Sequence, residues 1–225
     1  MSFRSLPILN GLSNKDIQSI YQDRDGYLWI STRNGLFQYD GYSIVTYKSN
    51  LTHPDLLTNN NILCVAEDNK HNLWIGTYSG LNVLDKRTGR VRKIDSPEMN
   101  GNSIPCILVT KQGRVLLATD WGLYEYMEET DRFQAFGYET TGNVMPQTAV
   151  KSLFEDDRGD IWIGTWNRGL YRYESSTGKY YGYPRLNAQN SAHVVFQDSR
   201  KNIWVGTWRG GLMLLKDAYE PARTT

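Results

Sequence analysis

Short apolar runs recur along this chain, broken at intervals by Asp, Asn and Gly, and signals for helix are nearly absent. Four such runs are Ile17-Gln-Ser-Ile-Tyr-Gln22, Leu28-Trp-Ile-Ser-Thr32, Leu36-Phe-Gln-Tyr39 and Ser43-Ile-Val-Thr-Tyr47. They are rich in β-branched and aromatic residues, and each is of strand length. Asp23-Arg-Asp-Gly26 separates the first two and supplies residues that tolerate positive φ, as a hairpin turn requires. Asn34-Gly35 and Asp40-Gly41 do the same for the next two connections. The pattern predicts a meander of four antiparallel strands.

That unit then repeats. Asp23, Trp29, Thr32 and Gly35-Leu36 reappear as Asp68, Trp74, Gly76-Thr77 and Gly80-Leu81. They return as Asp156, Trp162, Gly164-Thr165 and Gly169-Leu170, and again as Asp198, Trp204, Gly206-Thr207 and Gly211-Leu212. A degenerate copy lies between, from Thr110 through Leu116 and Thr119 to Gly122-Leu123. The five threonines are 45, 42, 46 and 42 residues apart. A period in this range, filled with short strands, predicts an all-β propeller of five four-stranded blades, at about residues 11–50, 56–98, 100–138, 145–185 and 188–215. The mid-strand tryptophans Trp29, Trp74, Trp162 and Trp204 are expected to fill the wedge between blades. The fifth unit has no clear outer strand before its tail at 216–225. Phe3-Arg-Ser-Leu6 is the candidate to complete it and so remove the open edges.

Composition narrows the partners. With 225 residues and 40% hydrophobic content the chain can bury a sizeable core. Its 25 basic and 24 acidic residues are dispersed, so no basic stripe suggests nucleic acid. No apolar run approaches a membrane span, and Met1-Ser-Phe-Arg-Ser-Leu lacks the apolar centre of a signal peptide. If the protein is exported, the chain is expected to begin after the cleavage site. Cys64 and Cys106 share one repeat position. Buried free thiols and a disulfide between blades are both open, and neither cysteine has neighbours at metal-ligand spacing. No metal or cofactor is expected.

The phrase D-x-x-G-x-[LI]-W-[IV]-G-T-x-x-G-L, preceded in the first copy by Gly11-Leu-Ser13, resembles the two-component regulator propeller repeat. The resemblance runs from about Phe3 to Leu215. It implies the extracytoplasmic, periplasmic sensor region of a hybrid two-component system, with a histidine kinase downstream and other sensor-region domains as partners. It implies a membrane connection only through the parent protein, and a carbohydrate signal. Sensors of this family usually carry seven-bladed propellers. The five repeats here therefore suggest either a fragment of a larger propeller or an unusual small one, with self-association through open edges.

Loops joining the second and third strands of each blade gather on one face of a propeller, where ligands usually bind. Here they are Arg33-Asn34, Tyr78-Ser79, Asp120-Trp121, Trp166-Asn167-Arg168 and Trp208-Arg209-Gly210. Three of the seven tryptophans fall in these loops, and the last two loops are one residue longer than the others. Flat aromatic faces stack on sugar rings, while Arg and Asn donate to hydroxyls or carboxylates, so an oligosaccharide is the expected ligand. The competing reading is that these tryptophans cap the core or face a neighbouring domain. Gln18, Lys151 and His193 share a position near the start of the inner strands, which adds His193 to the candidates.

Catalysis is a rival. Glycoside hydrolysis needs two carboxylates roughly 5–10 Å apart. Asp23, Asp68, Asp156 and Asp198 recur with the repeat and are expected to form turns. Asp120, Asp55, Glu98 and Glu139 form no evident pair. The sequence thus favours a sensor over both a ligand-free structural propeller and a carbohydrate-active enzyme.

Overall fold

The computed structural model describes residues 16–53, 56–136, 145, 147–183, 191–215 and 218–219. The chain divides into two compact units, Met1–Ser103 and Ile104–Thr225. Unit 1 holds two antiparallel sheets. In the first, Ile17–Gln22 (β1), Leu28–Thr32 (β2), Gly35–Tyr39 (β3) and Ile44–Tyr47 (β4) pair in sequence order. The second consists of Ile62–Glu67 (β5), Asn72–Thr77 (β6), Leu81–Asp85 (β7) and Arg90–Lys93 (β8).

Unit 2 holds three sheets. Blade 3 is built of Cys106–Val109 (β9), Val115–Thr119 (β10), Gly122–Met127 (β11) and Arg132–Ala135 (β12). Blade 4 contains Val150–Glu155 (β13), Ile161–Thr165 (β14), Leu170–Glu174 (β15) and Lys179–Tyr183 (β16). Blade 5 has three strands among the described residues, Ala192–Gln197 (β17), Ile203–Thr207 (β18) and Gly211–Leu215 (β19). These meanders are propeller blades, and the all-β class is as the repeat predicts. The suggested closing strand at 3–6 lies outside the described residues.

The turn aspartates are more than turn formers. Asp156 Oδ1 accepts the backbone N–H groups of Arg158 and Asp160 at 2.9 and 3.0 Å, and its Oδ2 accepts the Trp162 indole Nε1–H at 2.8 Å. The same indole bond, 2.9 Å in each case, joins Asp23 to Trp29, Asp68 to Trp74 and Asp198 to Trp204. A buried indole N–H needs an acceptor, and the turn supplies it from six residues upstream. Blade 3 has lost both partners together, with Thr110 and Leu116 in their places. There the Thr110 hydroxyl alone takes over the turn, accepting Arg114 N–H at 3.1 Å.

Blades within a unit meet through one repeated packing scheme. Trp29 lies in a cluster with Leu57, Ile62, Val65 and Leu73 of the following blade. Trp162 packs likewise with Ala192, Val195 and Ile203. A polar latch recurs at the far end of each seam. The residue after the turn Asp or Thr donates its N–H to the last side chain of the next inner strand. The pairs are Arg24 to Glu67 (2.9 Å), Lys111 to Glu155 (2.7 Å) and Asp157 to Gln197 (3.0 Å). Lys86 adds a charge to the first seam, its Nζ lying 2.7, 2.6 and 2.9 Å from Asp23, Asp25 and Glu67. Burial opposes that charge, but the three carboxylates outweigh it and hold the ammonium well above its ordinary pKa. At the corresponding place between blades 4 and 5, the Tyr219 hydroxyl donates to Asp156 Oδ2 at 2.9 Å.

Of the two alternatives left by the sequence the structure holds the thiols, since neither Cys64 nor Cys106 is in a disulfide. Burial pushes the Cys106 thiol up to about 11.

Candidate functional site

Two local devices build the loop face. The first is the repeated threonine. Its hydroxyl donates across the loop to the carbonyl of the glycine that opens the third strand: Thr32 to Gly35, Thr77 to Gly80, Thr119 to Gly122, Thr165 to Gly169 and Thr207 to Gly211, at 2.7–3.0 Å. The same oxygen accepts a loop N–H, from Trp121 at 3.1 Å and from Arg168 at 3.2 Å. Each loop is therefore clamped at its base. The extra residue of the last two loops is absorbed by left-handed backbone at Asn167 (φ 90°) and Arg209 (φ 57°). The first residue of each long loop is tied back beside the inner strand, with Trp166 N–H bound to Ala149 O and Trp208 N–H to Ser191 O.

The second device is a β-bulge at the start of the inner strand. The ladder slips between Ile17 and Ser19, Ile62 and Cys64, Val150 and Ser152, and Ala192 and Val194. The residues that bulge out are Gln18, Leu63, Lys151 and His193, so the position shared by Gln18, Lys151 and His193 is a bulge. A bulged residue leaves the pairing pattern and is re-aimed. Pro105 stands at this position in blade 3, where a missing N–H costs no ladder bond.

In unit 2 these devices bring three rings together. Trp166 and Trp208 have ring centroids 5.9 Å apart. His193 lies 5.2 Å from Trp166, edge to face, and 5.4 Å from Trp208, stacked at 27°. Both indoles remain substantially exposed. With its amide turned to suit its neighbours, Asn167 binds the Trp166 carbonyl and indole nitrogen. Lys151 reaches over Trp166 at 5.9 Å and pairs with Asp120 at 2.8 Å. Arg209 lies 5.9 Å from the Trp208 ring. Burial, together with the nearby Lys151 charge, lowers the His193 pKa, so the imidazole is neutral at pH 7. Its Nε2 is covered and has no hydrogen-bond partner among the described residues.

The structure thus joins Trp166, Asn167, His193, Trp208 and Arg209, and adds Lys151 through Asp120. Lys151 was legible as the residue sharing His193's repeat position. Arg168 is held at the base of its loop. Trp121 stands 64% exposed with no ring contact among the described residues. In unit 1, Arg33 pairs loosely with Asp16 at 3.9 Å, Asn34 is held through its N–H by Thr32, and Tyr78 is 60% exposed.

Of the acids named above, Asp55 and Glu139 lie outside the described residues. The four turn aspartates are engaged by indoles, and Asp120 is engaged by Lys151. One group the sequence did not flag is Asp25, Glu67 and His71, whose ligand atoms lie within 4.8 Å of one another. His71 Nδ1 is 3.0 Å from Glu67, and Lys86 already supplies the cation there.

Comparison with known proteins agrees with this organisation. The family model described as two component regulator propeller matches residues 11–34, 56–79, 145–167 and 187–209. It passes over the unit that lacks the Asp–Trp pair. Histidine kinase P4 of Formosa agariphila is 31% identical over 229 residues, covering 78% of this chain and 17% of the kinase. The extracellular domain of a protein assigned as a hybrid two component system of B. thetaiotaomicron superposes with a TM-score of 0.77 at 25% identity, over 91% of this chain and 29% of that one. Virginiamycin B lyase of Staphylococcus aureus also superposes, with a TM-score of 0.70 at 13% identity over 91% of this chain and 69% of the lyase. That second likeness is one of fold, and a propeller fold alone does not specify chemistry. The chain spans about a sixth of the kinase and under a third of that extracellular domain.

Proposed function

Because the chain is built of two component regulator propeller repeats, we propose that it is a non-catalytic sensing module of a hybrid two-component regulator. It works outside the cytoplasm, in the periplasm, and reports ligand occupancy to a histidine kinase elsewhere in the same protein. The ligand is an oligosaccharide, held on the loop face of unit 2. The observation that carries this reading is the Trp166–His193–Trp208 group: two exposed indoles about one ring-width apart, on clamped loops beside Lys151 and Arg209. Indole faces offer stacking to pyranose rings, and the cations offer donors to hydroxyl or carboxylate groups. Clamping lowers the entropy lost on binding.

A thermal-shift screen against plant, host and microbial oligosaccharides tests it, followed by calorimetric titration of any stabilising sugar. Binding that is abolished in Trp166→Ala/Trp208→Ala, with the folded spectrum retained, supports the site. Binding that survives the double substitution removes the ligand from this face.

A further inference from the structure

One contact is made twice on the loop face of unit 2, each time with different chemistry. The first residue of a two-to-three loop meets the bulged residue of the next inner strand. Between blades 4 and 5 the pair is Trp166 and His193, with ring centroids 5.2 Å apart. Between blades 3 and 4 it is Asp120 and Lys151, joined at 2.8 Å. Trp208, the first loop residue of blade 5, stacks on His193 at 5.4 Å, and Lys151 lies 5.9 Å from the Trp166 ring. Asp120, Lys151, Trp166, His193 and Trp208 therefore form one continuous row across the three blades of this unit.

The ion pair at one end of this row is no part of the framework. The corresponding residues between blades 1 and 2 are Arg33 and Leu63, which cannot make such a bond, and that seam packs without one. Beneath Asp120 and Lys151 the seam is filled by Leu116, Ala118, Val150 and Leu153. The Asp120 and Lys151 side chains remain 43% and 22% exposed, and an ion pair so open to water contributes little to stability. Both lie between blades that pack on each other inside unit 2, so their openness is not that of an end blade.

An ammonium only donates hydrogen bonds and a carboxylate only accepts them. Side by side they meet what two neighbouring hydroxyls need, one donating to Asp120 while the other accepts from Lys151. A carboxylated sugar would instead face the like charge of Asp120. We infer that the Asp120–Lys151 pair is a polar subsite for a neutral sugar unit with two adjacent hydroxyls, and that the ligand is an extended oligosaccharide, longer than a disaccharide. This rests on the reading of the same face as a sugar site. Trp166 and Trp208 stack the units at one end of the row, and the ion pair holds a further unit at the other by hydrogen bonds.

Calorimetric titration with cello-, manno-, xylo- and arabino-oligosaccharide ladders, from mono- to hexasaccharide, provides the test, with oligogalacturonides as the acidic series. Affinity is expected to rise beyond the disaccharide and then level off. Asp120→Ala should weaken binding of the longer members about tenfold, as the loss of a hydrogen bond to a charged group implies, and leave the disaccharide unchanged. Lys151→Met, which removes the donor, should weaken the longer members at least as far. Affinity that does not grow with length overturns the inference. So does an Asp120→Ala variant that binds every member like the wild type, or weakens all alike. In those cases the sugar site itself stands if Trp166→Ala/Trp208→Ala still abolishes binding. Oligogalacturonides that bind more tightly than every neutral ladder, with the preference lost in Lys151→Met, overturn the neutral subsite. Binding of no oligosaccharide at all overturns the inference together with the reading beneath it.

Discussion

Replacing Asp156 and Trp162 by Thr and Leu, singly and together, converts blade 4 to the pair that blade 3 carries naturally. Asp156→Thr removes the acceptor of a fully buried indole N–H, bonded at 2.8 Å, and of the Tyr219 hydroxyl at 2.9 Å. A buried donor left unpaired costs about 1–3 kcal/mol, and the turn N–H groups, nearer water, add less. The expected loss is about 2–4 kcal/mol. Trp162→Leu removes much of a side chain at the centre of its cluster, and a large-to-small change there costs about 2–5 kcal/mol. In the double variant no indole remains to be unsatisfied, so its cost should fall short of the sum by about 1–3 kcal/mol. Urea unfolding followed by far-ultraviolet circular dichroism measures all three. The Asp198/Trp204 pair is the control, because Trp204 is partly open and water can replace the lost acceptor, so its coupling should be smaller. Costs in blade 4 that add to within about 0.5 kcal/mol would refute the claim that the aspartate is there for the indole.

Other outcomes follow from single features. A Cβ at Gly164 would sit 2.2 Å from Ser152 Oγ and 2.6 Å from the Ala192 carbonyl, so Gly164→Ala should cost about 1–3 kcal/mol in thermal unfolding. At Gly206 the nearest atom is Val194 Cβ at 3.5 Å, and the same change should leave the monomer unaltered. Lys86→Met strands three carboxylates in the first seam and should destabilise unit 1 by about 2–4 kcal/mol at pH 7. The wild-type Asp23 carboxyl lies below its ordinary 3.8, since the bonds from Lys86 and Trp29 outweigh its burial. Lys86 therefore contributes fully above that value, and the deficit of the variant should shrink as pH falls through it. The Trp204 indole and Asn202 hold the Asp198 carboxyl at about 2, so its contribution is complete above 3.8 and lost as pH falls through about 2. Asp198→Asn should therefore be less stable than wild type at pH 6 and indistinguishable near the acid limit, and a carboxyl NMR titration of the wild type checks the value directly.

Much of the candidate site was legible because it repeats. Trp166, Trp208 and the longer loops stand out against three shorter copies, and His193 stands at a position shared with Gln18 and Lys151. What sequence reasoning missed was the nature of that position. A bulge shows itself only in pairing register, so nothing local distinguishes Lys151 from a residue within the ladder. The Lys151–Asp120 pair likewise joins two blades and leaves no mark in either segment alone. The turn aspartates were recognised as turn formers, yet their bonds to the indoles were not. The six-residue spacing was visible, and the joint loss of both partners in the third unit was the signal that could have revealed it.

By itself the sequence determined the blades: strand length, turn chemistry and framework tryptophans are short-range properties, and each unit forms with its neighbours' help only in burial. Ile17–Gln22 and Leu28–Thr32 occur where the apolar runs place them, to the residue. Only the tertiary structure decided which of five nearly identical surfaces are covered. Leu170 and Leu212 occupy the same phrase, and one is buried while the other faces solvent, because burial belongs to the neighbour and not to the residue. The same holds for the loop face, where two tryptophans forty-two residues apart become a single aromatic group through the packing of one blade against the next.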